Sequence, residues 1–108
     1  MSKCLKRNLN LLRILHKSKP RVVKSVIKEA PADLLRALCE CALNVLKGNV
    51  KLTSRQLSKL KRYKNGLRVL ANKKTSSKKR KDVLQKGGFL NALLTPVLSI
   101  LGGLLGSR

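Results

Sequence analysis

Aromatic side chains are almost missing: Tyr63 and Phe89 are the only two among 108 residues, and tryptophan is absent. Acids are nearly as scarce, with Glu29, Asp33, Glu40 and Asp82 set against 26 lysines and arginines. One histidine, His16, and three cysteines, Cys4, Cys39 and Cys41, complete the reactive inventory. Each shortage excludes something. Without aromatic platforms, unpaired bases have nothing to stack on, which disfavours reading of single strands or RNA loops. Four acids and one histidine support neither paired-carboxylate catalysis nor a metal cluster, and no glycine-rich loop sits in a strand–loop–helix context. No enzyme, no cofactor, no metal and no small-molecule substrate are therefore expected. The odd cysteine count and irregular spacing argue against a disulfide framework, and His16 completes no zinc set with the thiols. The cysteines read as small buried hydrophobes in a reducing compartment. The leading run LNLLRILHK is interrupted by Arg13 and has no small-residue cleavage site, so the chain is not expected to be secreted.

What is abundant is positive charge and aliphatic surface. A formal charge of +22 cannot be neutralised internally, so self-repulsion costs stability that a polyanion would restore. For a basic chain of this size that partner is expected to be nucleic acid, with anionic lipid as the competitor. Phosphate contacts without base readout fit double-stranded DNA and packaging better than sequence recognition. Apolar residues make up 43% of the chain, enough for one small domain plus a tail.

Helical periodicity and punctuation divide the body. Residues 3–17 carry Leu5, Leu9, Leu12 and His16 on one line, flanked by Leu11 and Leu15, with a cationic face opposite and Ser2 as cap. His16 reads as a packing or rim residue. Pro20 restarts the chain in a short helix over about 20–29, with Val22, Val23, Val26 and Ile27 expected inward. Pro31 opens the most apolar helix, 31–47, with Leu34, Leu35, Leu38, Ala42, Val45 and Leu46 on a broad face and Gly48 as its stop. Its acids are expected to answer cations on neighbouring helices. Thr53 and Gln56 form a capping-box pattern, and Leu57, Leu60, Tyr63, Leu67 and Leu70 continue a stripe through Gly66, which predicts one helix over 54–72.

The candidate phosphate contacts are Arg55, Lys59, Lys61, Arg62, Lys64, Arg68, Lys73, Lys74, Lys78, Lys79, Arg80 and Lys81. Residues 73–86 read as a basic linker in which Thr75 or Ser76 caps a short helix reaching Leu84. Its tetrad Lys78–Lys81 admits three readings: a solvated linker, a nuclear import signal, or a phosphate patch. Ser76 and Ser77 beside it are candidate phosphorylation sites.

Residues 87–107 carry no charge. As a helix, about 20 residues match the hydrocarbon thickness of a bilayer. Asn91, Thr95, Ser99 and Gly103 recur every fourth residue as a small polar stripe. The remaining circumference, Phe89, Leu90, Leu93, Leu94, Val97, Leu98, Ile100, Leu101, Leu104 and Leu105, is the candidate membrane- or partner-binding surface. Such a helix can lie in a membrane interface, span and pair through its small residues, or fill a protein groove.

A basic segment followed by KGGFLNALLTPVLSILGGLLG resembles the precursor of adenovirus core protein X, through Gly88, Phe89, Leu90, Ala92 and Leu93. The chain as a whole, including LLRALCECALNVLKGNVKLT before a basic helix, is similar to the small basic core proteins of adenovirus-like Polinton/Maverick elements (adintoviruses). The resemblance implies a virion core protein that helps condense a double-stranded DNA genome, and the basic cluster 78–81 adds the host nucleus as an expected location. It also implies processing by a virus-type protease that favours an aliphatic-x-Gly-Gly sequence. Ile100–Gly103 matches that pattern, whereas Gln85–Gly88 lacks the aliphatic residue, making Gly103 and Gly88 the candidate processing sites.

These readings combine into an all-α protein with three to four short amphipathic helices in a body (1–72), a basic linker (73–86) and a separate hydrophobic helix in the tail (87–108). The expected function is non-specific binding of double-stranded DNA, with the tail contacting membrane or capsid protein and self-association left open. The alternative is a membrane-active or tail-anchored protein whose cations bind anionic lipid.

Overall fold

The computed structural model describes residues 2–106, with side chains described through Ile100. Among the described residues the chain is helical, without strands. Helix α1 (Lys3–Lys17) starts where the Ser2 hydroxyl accepts from the Leu5 amide at 3.1 Å. Its apolar line is buried as the periodicity requires: Cys4, Leu5, Leu9, Leu12 and Leu15 face the core, while Leu11 is exposed. Helix α2 (Pro20–Lys28) is as short as expected, but only Ile27 is fully buried. Val23 and Val26 are half-buried and Val22 faces solvent, because α2 rests chiefly on one neighbour, α6.

Helix α3 (Ala32–Leu46) is the centre of the molecule. Leu34, Leu35, Ala37, Leu38, Cys41, Ala42 and Val45 are buried on it, and it packs against four other helices. Leu46, assigned to its apolar face by periodicity, is exposed at the helix end. Gly48 follows the helix at φ +79°, a left-handed conformation that favours glycine.

The single helix expected over 54–72 is two. Helix α4 (Ser54–Arg62) begins with the capping box, Thr53 Oγ1 accepting from Gln56 N at 3.1 Å and Gln56 Oε1 accepting from Thr53 N at 3.0 Å. It ends at Tyr63 (φ −107°, ψ 18°), and α5 (Lys64–Ala71) follows at once. The partners explain the break: α4 packs on α7, whereas α5 packs on α3 and α6, and one straight axis does not serve both. Leu57, placed in the apolar stripe by its spacing, is consequently exposed. Gly66 does not break the helix. A Cβ there would lie 2.9 Å from Phe89 Cε1 and 3.0 Å from Val83 Cγ1, so the glycine permits close approach of α5 to the helices that follow.

The stretch read as a linker contains α6 (Ser77–Leu84), capped by Ser76 Oγ, which accepts from Lys79 N at 3.2 Å. Val83 and Leu84 are buried, so this basic segment is pinned to the body.

Helix α7 (Phe89–Gly106) is not a separate tail helix. Its first half packs against α1, α3, α4 and α6, with Leu93 and Leu94 at 0% exposure and Phe89 at 1%. The physical reason lies in the body, whose size leaves it only a marginal core of its own. Burying a Leu or Phe fully is worth about 1.5–3 kcal/mol, and α7 supplies the bulk a small core needs. Phe89 stacks edge-on against Tyr63, ring centroids 5.5 Å apart, joining the two aromatics of the chain at the α4–α5–α7 junction.

Candidate nucleic-acid interface

From Lys47 to Lys81 the chain carries fourteen lysines and arginines and no acid. Burial of the Leu60, Leu67, Leu70, Val83 and Leu84 stripes turns the charged sides of α4, α5 and α6 toward water. Of the twelve candidate contacts, Arg55, Lys59, Lys61, Arg62, Lys64, Arg68, Lys73, Lys74, Lys78 and Lys79 are exposed. Arg80 and Lys81 are partly buried and have structural partners. Arg80 Nη2 donates to the Asn72 carbonyl at 2.7 Å at the end of α5, and Lys81 Nζ donates to the Lys28 carbonyl at 2.9 Å at the end of α2. Both cations meet the negative end of a helix, where they satisfy carbonyls and complement the dipole. Arg80 Nε is buried without a partner. The tetrad 78–81 thus divides into two outward lysines and two helix-capping residues.

Of the α3 acids expected to answer neighbouring cations, Asp33 does so at the start of the helix. Asp33 accepts from Arg7 Nη2 at 2.8 Å, from Arg7 Nε at 3.2 Å and from Asn8 Nδ2 at 2.9 Å, and Arg36 Nη1 stands 3.5 Å away. The Arg7 guanidinium, then the Asn8 amide, hold the Asp33 carboxyl well below the usual carboxylate range. Glu40 accepts from the Ser2 hydroxyl. Burial, chiefly, pushes the Cys41 thiol up to about 12 and raises Cys39 and Cys4, so all three sulfurs stay protonated at neutral pH and make weak nucleophiles. Among the described residues no group of acids, His and Cys is arranged to hold a metal ion.

Two clefts carry three cations each. One, of about 430 Å³ between α3, α5 and α6, includes Arg36, Lys73 and Arg80 but also Glu40 and the Cys39 thiol. The other, of about 390 Å³ between α4 and α7, is lined by Arg55, Lys59 and Arg62 together with Gln56, Tyr63, Asn91 and Thr95, and no acid lines it. The three cations are spaced by four and three residues, which places them on one side of α4. Asn91 and Thr95 belong to the small polar stripe of α7, whose first half faces a basic cleft and the His16 ring. His16 Nε2 lies 2.9 Å from Thr95 Oγ1, and the Thr95 hydroxyl donates to the Asn91 carbonyl at 2.8 Å. Periodicity identified the stripe and, separately, the cations, but nothing in the sequence pairs residue 59 with residue 91.

The candidate membrane or partner surface is placed differently from expectation. Phe89, Leu90, Leu93, Leu94 and Val97 are core residues, while Leu98 and Ile100 are half-buried. Leu101, Leu104 and Leu105, and the candidate processing position Gly103, lie outside the residues whose side chains are described. Among the described residues no single helix is long and apolar enough to cross a membrane. Ser77–Leu84 and Phe89–Ile100 pass together by length and composition, bent by 87°. The other processing candidate, Gly88, is exposed in the turn before α7 at φ +81°, where a Cβ would lie 2.8 Å from the Tyr63 hydroxyl oxygen. Comparison of the chain with protein-family models, curated proteins and solved structures gave no match.

Proposed function

We propose that this chain is a non-enzymatic protein that binds double-stranded DNA without sequence preference, through phosphate contacts. The observation that carries the reading is the array of ten exposed cations on α4, α5, the turn after it and α6, in a stretch of 35 residues without one acid. A rigid cationic surface with no aromatic stacking platform suits a regular duplex backbone better than splayed bases. Taken with the resemblance to virion core proteins, the proposed role is condensation of a viral genome, in the host nucleus and in the particle. Capsid contact and self-association belong to the same proposal. Lipid is the less supported partner, since five of the apolar residues that would enter a membrane, Phe89, Leu90, Leu93, Leu94 and Val97, fill the core.

The test is binding of the full-length protein to three unrelated duplexes, and to vesicles of anionic phospholipid, at the same ionic strength. Affinities within about threefold among duplexes, with weaker vesicle binding, are expected. A strong preference for one duplex would contradict the reading, and so would tight vesicle binding with none to DNA.

A further inference from the structure

We infer that the cleft between α4 and α7 is a discrete phosphate seat, the point at which a backbone phosphate is held by directed donors rather than by diffuse charge; this rests on the DNA reading above and sharpens it. Three cations, Arg55, Lys59 and Arg62, line a concavity of about 390 Å³ into which no acid intrudes. Their neutral companions are hydrogen-bonding groups: Tyr63, Asn91 and Thr95. The Asn91 carboxamide oxygen lies 3.2 Å from the Thr95 hydroxyl oxygen, and the NH₂ of the same carboxamide is the donor that Asn91 can offer an anion. A phosphate presents acceptors only, and a cleft of cations and an amide donor is its complement. The seat does not depend on the amino end of α4, because the Thr53–Gln56 capping box has closed that end.

The two walls belong to different helices, and that gives the site a consequence. A phosphate bridging Arg55, Lys59 and Arg62 on α4 to Asn91 on α7 binds only while α7 is docked. Binding and docking are then linked: an occupied seat stabilises the docked tail, and release of α7 toward any other partner weakens DNA binding by the same factor.

The experiment uses the full-length protein, a 20-base-pair duplex and, separately, inorganic pyrophosphate. Asn91→Ala removes no charge; Lys59→Gln removes one inside the cleft; Lys6→Gln removes one on the exposed side of α1 as a control for net charge. Asn91→Ala is expected to weaken duplex binding about three- to tenfold with an unchanged salt slope. Lys59→Gln is expected to weaken it more than Lys6→Gln. Pyrophosphate should perturb the Asn91 side-chain amide signals in nuclear magnetic resonance spectra and raise the melting temperature of the wild type but not of Arg55→Gln/Arg62→Gln. If the duplex binds yet Asn91→Ala is silent, Lys59→Gln equals Lys6→Gln and pyrophosphate leaves Asn91 unmoved, the seat is overturned and the DNA reading stands. If pyrophosphate moves Asn91 but no duplex binds, the seat stands as an anion site and the DNA reading falls.

Discussion

Replacing Gly66 by alanine sets two calculable effects against each other. In a helix interior alanine is favoured over glycine by about 1 kcal/mol, and Gly66 lies within α5. Against that, the new Cβ would sit 2.9 Å from Phe89 Cε1, 3.0 Å from Val83 Cγ1 and 3.4 Å from Phe89 Cδ1. Neither neighbour has room to retreat: Phe89 is 1% exposed and braced edge-on by Tyr63, and Val83 is 6% exposed. Overpacking of this kind costs about 1–3 kcal/mol, so the steric effect wins and Gly66→Ala should destabilise by about 1 kcal/mol net. For a domain of this size that is about 5 °C in Tm, measurable by thermal circular dichroism. A double-mutant cycle isolates the cause. With Phe89→Leu in place, the added methyl group loses one of its two obstacles while Val83 Cγ1 remains at 3.0 Å, and Gly66→Ala should become clearly less destabilising, giving a coupling of about 0.5–1 kcal/mol. A rise in Tm for Gly66→Ala alone, or zero coupling with residue 89, would refute the close approach of Gly66 to Phe89.

Leu93→Ala should cost about 2–5 kcal/mol in urea denaturation, because the side chain is fully buried, whereas Ser99→Ala, exposed on the same helix, should be nearly silent. Asp33 has a folded-state pKa lowered from its ordinary value of 3.8, so its contribution to stability is present above that value and is lost as pH falls below it. The urea midpoint of the wild type should therefore drop between about pH 5 and about pH 2.5 by more than that of Asp33→Asn. Alkylation of the native protein at about pH 8 should modify half-exposed Cys39 before buried Cys4 and Cys41, as read by mass spectrometry.

Local punctuation was legible in the sequence wherever one residue does one job. Ser2, the Thr53–Gln56 box and Ser76 cap helices, Pro20 and Pro31 restart them, and Gly48 ends one, as their chemistry dictates. The split at Tyr63 was not legible, because apolar spacing of three and four residues runs through it; what breaks the helix is a change of packing partner, which only the fold supplies. The tail is misleading for a similar reason. Its lack of charge suggests an anchor, yet Phe89, Leu90, Leu93, Leu94 and Val97 have the spacing of an ordinary core helix. The same segment is too rich in leucine to stay exposed beside a body that needs more apolar bulk. In the segment read as a basic linker, the short helix capped at Ser76 and reaching Leu84 was legible, but its attachment to the body through Val83 and Leu84 was not, two apolar residues outweighed in composition by five preceding charges. Of the site, the cations were identifiable one by one. Their meeting with Asn91 and Thr95 was not, since that depends on α7 folding back over α4.

The most direct measurement is the salt dependence of duplex affinity for the full-length protein. Engagement of roughly six to ten phosphates gives a slope of log K against log salt of about −0.9 per contact, a loss of roughly 10³–10⁵ in affinity between about 50 and 200 mM salt. That loss, shared by unrelated duplexes, is the expected result. Affinity that barely changes over this range would contradict a phosphate-binding role for the cations of α4, α5 and α6.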